Sequence, residues 1–178
     1  MKLHIGGKIK KDDWKILNIQ NKEGVDFIGD ISDLSQFEEE SINEIYASHV
    51  FEHVPQKKII STLSGINRVL KTGGKFYLSV PDIDVLFKFF LTPLTSYATK
   101  IGKTEGEIKM HVLRMIFGGQ TDQYDFHYFG WNFGFLKSAL IKAKFTKIEK
   151  VINFNLFEDT SNYKPYGFPI SLNVVAFK

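Results

Sequence analysis

The segment SHVFEH, at positions 48–53, holds two histidines and a glutamate within six residues. Histidine is a common general base and metal ligand, and a neighbouring carboxylate can complete a metal site. Glu52 and His53 resemble such a pair, but the sequence places no third ligand beside them. The order HVFEH also differs from the H-E-x-x-H spacing of a zinc-protease helix. We therefore predict no metal site, and expect His53 to make polar contacts with backbone in a loop.

The elements around this segment should position it at the end of a strand. An apolar run at 45–48 predicts a strand, and Pro55 discourages helix at the residue before it. Apolar residues then recur with helical spacing, and Gly73-Gly74 is expected to end that helix. Lys75 to Val80 is a second predicted strand, ended by Pro81. A strand, a crossover helix and a strand form a βαβ unit whose strands should be parallel. The helical positions are Ile59, Leu63, Ile66 and Leu70.

The motifs SHVFEH and RVLKTGGKFYLSVPD, in this order, resemble the middle of small class I S-adenosylmethionine-dependent methyltransferases. The usual family pattern is SHVLEH, then RVLKPGG and a strand ending in VPD. The resemblance covers about half of the chain. It implies a three-layer α/β/α sandwich with a Rossmann-like, mostly parallel sheet that ends in an antiparallel strand pair. We expect one methyltransferase-like domain, 1–178, shortened at its N-terminus and carrying a helical insert at about 83–119.

The resemblance also implies a set of cofactor-binding residues for S-adenosylmethionine. Gly6 and Gly7, after a first strand at 2–5, would let the backbone pass close to the cofactor. Asp30 would accept a hydrogen bond from the adenine amine, with Ile31 against the ring; a helix N-cap is the competing role for Asp30. The family pattern places Ser48 and His49 at the carboxyl edge of the sheet, beside the methionine part.

Two positions depart from the family pattern. Asn18, near the end of a strand predicted at 16–19, replaces an acidic residue that in the family accepts hydrogen bonds from both ribose hydroxyls. An amide accepts through one oxygen only and brings no charge. Lys8 stands where the glycine loop has a third glycine. Both changes suggest a weakened cofactor site, unless Asn18 merely caps its strand.

The first connection is too short for the helix that normally follows the first strand. Only residues 8–13 separate the glycine pair from Trp14. Eight extended steps reach about 26–29 Å, and returning along a strand of four or five residues needs roughly 15 Å. We therefore expect an extended return that still leaves the two strands parallel.

The resemblance implies methyl transfer to a small-molecule or sugar-type acceptor. His127 is our candidate general base, with Asp82 and His49 as alternatives; a packed residue among aromatic neighbours is the competing reading for His127. The insert at 83–119 should determine the acceptor, although its apolar content would also suit a homodimer interface. The alternative function is a catalytically degenerate methyltransferase fold that serves as a binding or scaffold subunit.

Composition limits the other possibilities. The 178 residues include no cysteine, which excludes disulfides and thiolate metal sites. The net charge of +3 rests almost wholly on lysine, with Arg68 and Arg114 the only arginines, so nucleic-acid binding is not expected. No signal peptide and no membrane-spanning apolar run are visible, and we expect a cytoplasmic enzyme.

Overall fold

The computed structural model describes residues 1–178, which form a seven-stranded sheet with five α-helices. The strands are β1 (Lys2–Ile5), β2 (Trp14–Asn18), β3 (Phe27–Ile28), β4 (Ile42–Ser48), β5 (Leu70–Pro81), β6 (Lys147–Val151) and β7 (Ser171–Phe177). The helices are α1 (Ile59–Val69), α2 (Ile83–Leu91), α3 (Thr95–Lys100), α4 (Glu105–Phe117) and α5 (Phe133–Lys142).

The strand order is β3-β2-β1-β4-β5-β7-β6. All neighbours are parallel except β7, which runs antiparallel to both β5 and β6. This confirms the mostly parallel, Rossmann-like sheet with its antiparallel strand pair. Ile5 of β1 is level with Leu17 of β2 and with Ala47 of β4, so these three strands end at one edge of the sheet.

The main core lies between the sheet and the helices α1 and α5. Alternate strand residues such as Leu3, Ile45 and Leu78 point to this side, where Leu63 and Leu140 of the helices are fully buried. The apolar face of α1 therefore packs against the sheet, as the spacing of its apolar residues predicts.

The opposite face of the sheet is covered by a connection rather than by helices. Trp14 and Tyr46 point to this side and pack against Phe157, which lies between β6 and β7. The short connections β1–β2 and β2–β3 contain no helix that could cover this face. The β6–β7 connection therefore covers this face near β1, β2 and β4.

The insert after β5 has a small core of its own. Leu86, Ala98 and Val112 of α2, α3 and α4 are buried together, with Tyr166 and Ile170 from the β6–β7 connection. Glycine and proline make residues 92–106 loop-like in sequence, yet this part of the insert contains the short helix α3. None of the helices in the structure is long and apolar enough to cross a membrane.

Gly73-Gly74 does not end a helix, contrary to the prediction. Helix α1 stops at Val69, and Leu70 already belongs to β5, where it pairs with Ile42 of β4. Gly73 has a φ of +76° within the strand, beside a shift in the β4–β5 register. The glycine pair thus allows a bulge in an extended chain.

Candidate functional site

A cleft of about 290 Å³ lies at the carboxyl ends of β1, β2 and β3. Parallel sheets bind ligands at this edge, next to the point where the strand order reverses, here between β1 and β4. One wall comes from the strand ends; the other comes from the segment after β4 and from residues 123–128. The lining includes Gly6, Asn18, Ile19, Asp30 and Ile31 on the first wall, and Val50, His53, Val54, Pro55, Lys58, Gln123, Tyr124 and Tyr128 on the second.

Gly6 makes a close approach that a side chain would prevent. Its φ is +72°, and a Cβ atom at this position would overlap the Cγ2 atom of Val50. The glycine therefore serves both the left-handed turn after β1 and the contact between the two walls. Gly7 is not among the residues that line the cleft, and a Cβ there would lie 2.6 Å from the His4 ring.

Asn18 lines the cleft, but its amide already has two partners. Its Nδ2 donates to the Gly7 carbonyl oxygen (3.3 Å), and its Oδ1 accepts from the Gln20 N–H (3.0 Å). The side chain is 9% exposed. Asn18 thus ties the glycine loop to the end of β2, a contact that a carboxylate could not make because it has no donor.

Asp30 and Ile31 lie at the end of the cleft that β3 forms. Asp30 is exposed, and its Oδ1 accepts from the Ser32 N–H at 2.7 Å. No helix begins there, so Asp30 closes an Asx turn and does not act as a helix N-cap. Ile31 is 6% exposed and joins the cleft to the main core.

Ser48 and His49 follow β4 at the expected edge, but neither is among the residues that line the cleft. The Ser48 Oγ lies 3.1 Å from the Thr160 Oγ1, and the His49 Nε2 lies 2.8 Å from the Ser171 Oγ. His49 has a φ of +52°, which turns the chain so that Val50 reaches the cleft instead. The prediction missed Val50 because strand alternation cannot follow this turn, and it also missed Ile19, which directly follows Asn18 at the end of β2.

His127 also lies outside the cleft lining. Its Nδ1 donates to the Met115 carbonyl oxygen (3.1 Å), and its ring packs edge-on against His53, with ring centroids 4.8 Å apart. Burial, together with nearby His53, lowers the pKa of His127 to about 4. Burial likewise lowers the pKa of His49 to about 4, with a further contribution from His127.

Glu52 is the most deeply buried ionisable residue near the cleft. It is 1% exposed, and neither carboxylate oxygen has a hydrogen-bond partner. Burial raises the pKa of its carboxyl to about 8. The nearest basic atom is the His49 Nδ1, 3.4 Å from the Glu52 Oε1. His127, 74 residues further along the chain, is the neighbour of Glu52 and His53 that the sequence could not place.

Asp82, the other alternative base, is occupied as the N-cap of α2. Its Oδ1 accepts from the backbone N–H groups of Asp84 (3.2 Å) and Val85 (3.5 Å). Its Oδ2 lies 3.4 Å from the Lys150 ammonium. These contacts give the Asp82 carboxylate a structural role, which is to cap α2 at the end of β5.

Comparison with known proteins agrees with this geometry. Residues 11–78 match the family model of the methyltransferase domain. No curated protein matches the sequence. The chain is similar in structure to an S-adenosylmethionine-dependent methyltransferase from Archaeoglobus fulgidus, with a TM-score of 0.57, 14% identity, and coverage of 99% of this chain and 85% of the other.

Two further solved structures share the fold. A 1,6-didemethyltoxoflavin-N1-methyltransferase from Burkholderia thailandensis, with bound 1,6-didemethyltoxoflavin and S-adenosylhomocysteine, has a TM-score of 0.61 at 14% identity. The alignment covers 99% of this chain and 70% of that one. The YcgJ protein from Bacillus subtilis has a TM-score of 0.54 at 13% identity, with 99% and 91% covered. The protein has the fold of class I methyltransferases.

Proposed function

Because residues 11–78 match the methyltransferase domain and the whole chain has the class I fold, we propose that this protein transfers a methyl group from S-adenosylmethionine to a small-molecule acceptor. The observation that carries the proposal is the cleft at the carboxyl ends of β1–β3, with the Gly6 turn at its centre. Related structures with bound cofactor product, such as the Burkholderia enzyme, support the choice of cofactor.

The residues of the cleft suit the two ends of this cofactor. Asp30 uses only its Oδ1 in the turn with Ser32, so its Oδ2 is available to accept from the adenine amine. Ile19 and Ile31 offer apolar surface for the ring beside it. The Asn18 Oδ1 can accept one ribose hydroxyl besides the Gln20 N–H, because an amide oxygen has two lone pairs. The Gly6 turn would carry the backbone past the methionine part.

The protein's contribution to catalysis would be mainly alignment. When bound, S-adenosylmethionine supplies a methyl group on a positively charged sulfur that is a good leaving group. Residues of both walls would then hold the acceptor in line with that group and exclude water. His127 has no base role in this proposal: it lies outside the cleft, and a pKa of about 4 is far from the value that suits a base at neutral pH.

The insert α2–α4 is the part that we propose to select the acceptor, which would be a small molecule, with a sugar as one such class. It follows β5, whose end borders the edge where the cleft lies. Tyr124 and Tyr128, which follow the insert, line the cleft and offer aromatic surface. The insert also exposes Leu91 (77%) and Met110 (55%), so a homodimer through this surface is an alternative use of the same residues.

Titration calorimetry with S-adenosylhomocysteine would test the cofactor site. Asp30→Ala should weaken binding by about tenfold, the scale of one charge-assisted hydrogen bond. Asp33→Ala is the matched control, because the Asp33 Oδ1 closes a similar turn with the Ser35 N–H (3.0 Å) outside the cleft. Absence of binding to the wild-type protein, or equal losses in both variants, would contradict the proposal.

A second candidate is a non-catalytic binding subunit, favoured by the occupied amide of Asn18 where the family has an acidic residue. Calorimetry alone does not separate the two, because an inactive protein could keep the cleft. A methyl-transfer assay with labelled cofactor and a panel of hydroxyl and amine acceptors would decide: transfer that Asp30→Ala slows supports catalysis, and binding without any transfer favours the subunit.

A further inference from the structure

We propose that Glu52, His53 and His127 form a binding site for a divalent metal ion of the zinc class. One ligand atom of each residue lies within 4.8 Å of the other two. Two imidazoles and one carboxylate are a donor set that zinc takes in catalytic sites, where a further coordination position stays open. The proposal concerns metal binding and does not depend on the proposed methyl transfer.

Both histidines are oriented as metal ligands usually are. The His53 Nδ1 lies 3.0 Å from the Phe126 carbonyl oxygen, and the His127 Nδ1 lies 3.1 Å from that of Met115. A carbonyl oxygen only accepts, so each Nδ1 carries the hydrogen and each Nε2 keeps its lone pair. Metal-binding histidines typically donate their other ring N–H to such an acceptor, which sets the tautomer and holds the ring in place.

Glu52 supplies a second and independent indication. Its carboxyl group is almost completely buried, yet neither oxygen has a hydrogen-bond partner, and no lysine or arginine pairs with it. A buried, unpaired carboxylate is strongly unfavourable unless it is neutralised or meets a cation. A divalent ion held between Glu52 and the two histidines would meet that requirement.

The surrounding backbone holds the three ligands in place. Glu52 and His53 lie in one 3-10 turn, which is anchored by Phe51 stacked on Trp131 (5.2 Å between centroids). The Tyr128 N–H donates to the Glu52 carbonyl oxygen (2.8 Å), which joins this turn to the segment that carries His127. Ligand atoms on a tetrahedral zinc are about 3.3–3.6 Å apart, so the widest pair, which lies within 4.8 Å, must close by at most roughly 1.2–1.5 Å. Small ring rotations that keep the Nδ1 hydrogen bonds can supply that movement, together with the Glu52 side chain, which has no hydrogen bond to break.

A competing explanation is that Glu52 is protonated and donates to the His49 Nδ1. The Ser171 Oγ donates to the Thr160 carbonyl oxygen, so the His49 Nε2 must donate to Ser171, and the His49 Nδ1 is left as an acceptor. The Glu52 Oε1 lies 3.4 Å from that atom. On this explanation a glutamine at position 52 could make the same contact, and the protein would bind no metal here.

Zinc titration of the full-length, untagged protein against a competing chelator would test the site. We expect one Zn²⁺ per chain. Glu52→Gln and His127→Gln should each weaken binding by at least the 10–100-fold that loss of an outer partner causes. His111→Gln is the control, because His111 contacts the Tyr166 hydroxyl away from the cluster and should leave zinc affinity unchanged. Circular dichroism of the metal-free variants would verify that each is folded.

X-ray absorption of the zinc-loaded protein should show two imidazoles and an oxygen ligand. A wild-type protein that binds no zinc below millimolar concentration would overturn the proposal. Zinc affinity that stays unchanged in Glu52→Gln and His127→Gln would overturn it as well, because the bound ion would then lie elsewhere. If Glu52→Gln stays folded and only His127→Gln lowers the affinity, Glu52 is not a ligand and the three-residue site is wrong.

Discussion

Replacing Gly6 by alanine should disturb the cleft through two separable effects. The first is backbone strain: with a φ of +72°, an L-residue costs about 1–2 kcal/mol relative to glycine. The second is the overlap between the new Cβ and the Cγ2 of Val50. Overpacking of this kind costs about 1–3 kcal/mol. The free energy of unfolding should therefore fall by about 2–5 kcal/mol.

Gly73 provides a matched control for the first effect. Its φ is +76°, but a Cβ there would meet nothing within 4 Å. Gly73→Ala should therefore cost only the backbone strain, about 1–2 kcal/mol. The excess cost of Gly6→Ala over Gly73→Ala then measures the contact with Val50.

A double-mutant cycle with Val50→Ala would isolate that contact further. Removing the Val50 methyl groups should relieve the overlap, and the coupling energy between the two positions should reach about 1–3 kcal/mol. Urea unfolding measures the four free energies. Calorimetry should show weaker S-adenosylhomocysteine binding in Gly6→Ala, partly recovered in the double variant. Equal costs for Gly6→Ala and Gly73→Ala, or no coupling with Val50, would refute this account of the glycine turn.

Three further predictions concern the surroundings of the cleft. Asn18→Asp removes the donor to the Gly7 carbonyl, so the free energy of unfolding should fall by about 1–3 kcal/mol. The new carboxylate should strengthen cofactor binding by about 1–2 kcal/mol, because it accepts charge-assisted hydrogen bonds. An unchanged dissociation constant would show that residue 18 does not reach the ribose. Burial lowers the pKa of His4 to about 4, so the unfolded chain binds more protons than the folded one between pH 4 and 6.5. The contribution of His4 to the free energy of unfolding is therefore complete near pH 7.5 and decreases on acidification. His4 should account for about 2 kcal/mol of the loss at pH 5, and urea unfolding of His4→Phe should lack that part; an identical pH profile would contradict the assignment. Because Leu94 and Ala98 are buried in the insert core, amides of α3 should exchange slowly without ligand, and fast exchange would instead support a mobile lid.

Local patterns in the sequence predicted several individual elements, and the family resemblance supplied the overall architecture. The predicted limits of β1 coincide with the observed ones, and α1 begins at the predicted Ile59. Apolar residues alternate or recur every three to four positions there, and each side of the sheet buries its own set. The missing helix after β1 also followed from chain length alone, since six residues cannot form a helical crossover.

Longer-range pairing explains where the interpretation went wrong. Gly73-Gly74 after an amphipathic run resembles a helix end, but pairing of Leu70 with Ile42 extends β5 through it. Helix α3 has only six residues and no clear apolar face; packing of Ala98 against its neighbours stabilises it. Such contacts join residues far apart in the chain and leave no local signal.

The candidate site also has a part that the sequence order predicts and a part that only the tertiary structure determines. That Gly6, Asn18 and Asp30 meet at one edge follows from parallel strands ending there in turn, which the sequence order already implies. The left-handed turn at His49, which brings Val50 rather than Ser48 to the cleft, depends on contacts with Thr160 and Ser171 more than 110 residues away. The approach of His127 to Glu52 and His53 depends on how the insert returns to the sheet. No periodicity connects positions that far apart, so the folded chain alone brings those three side chains together.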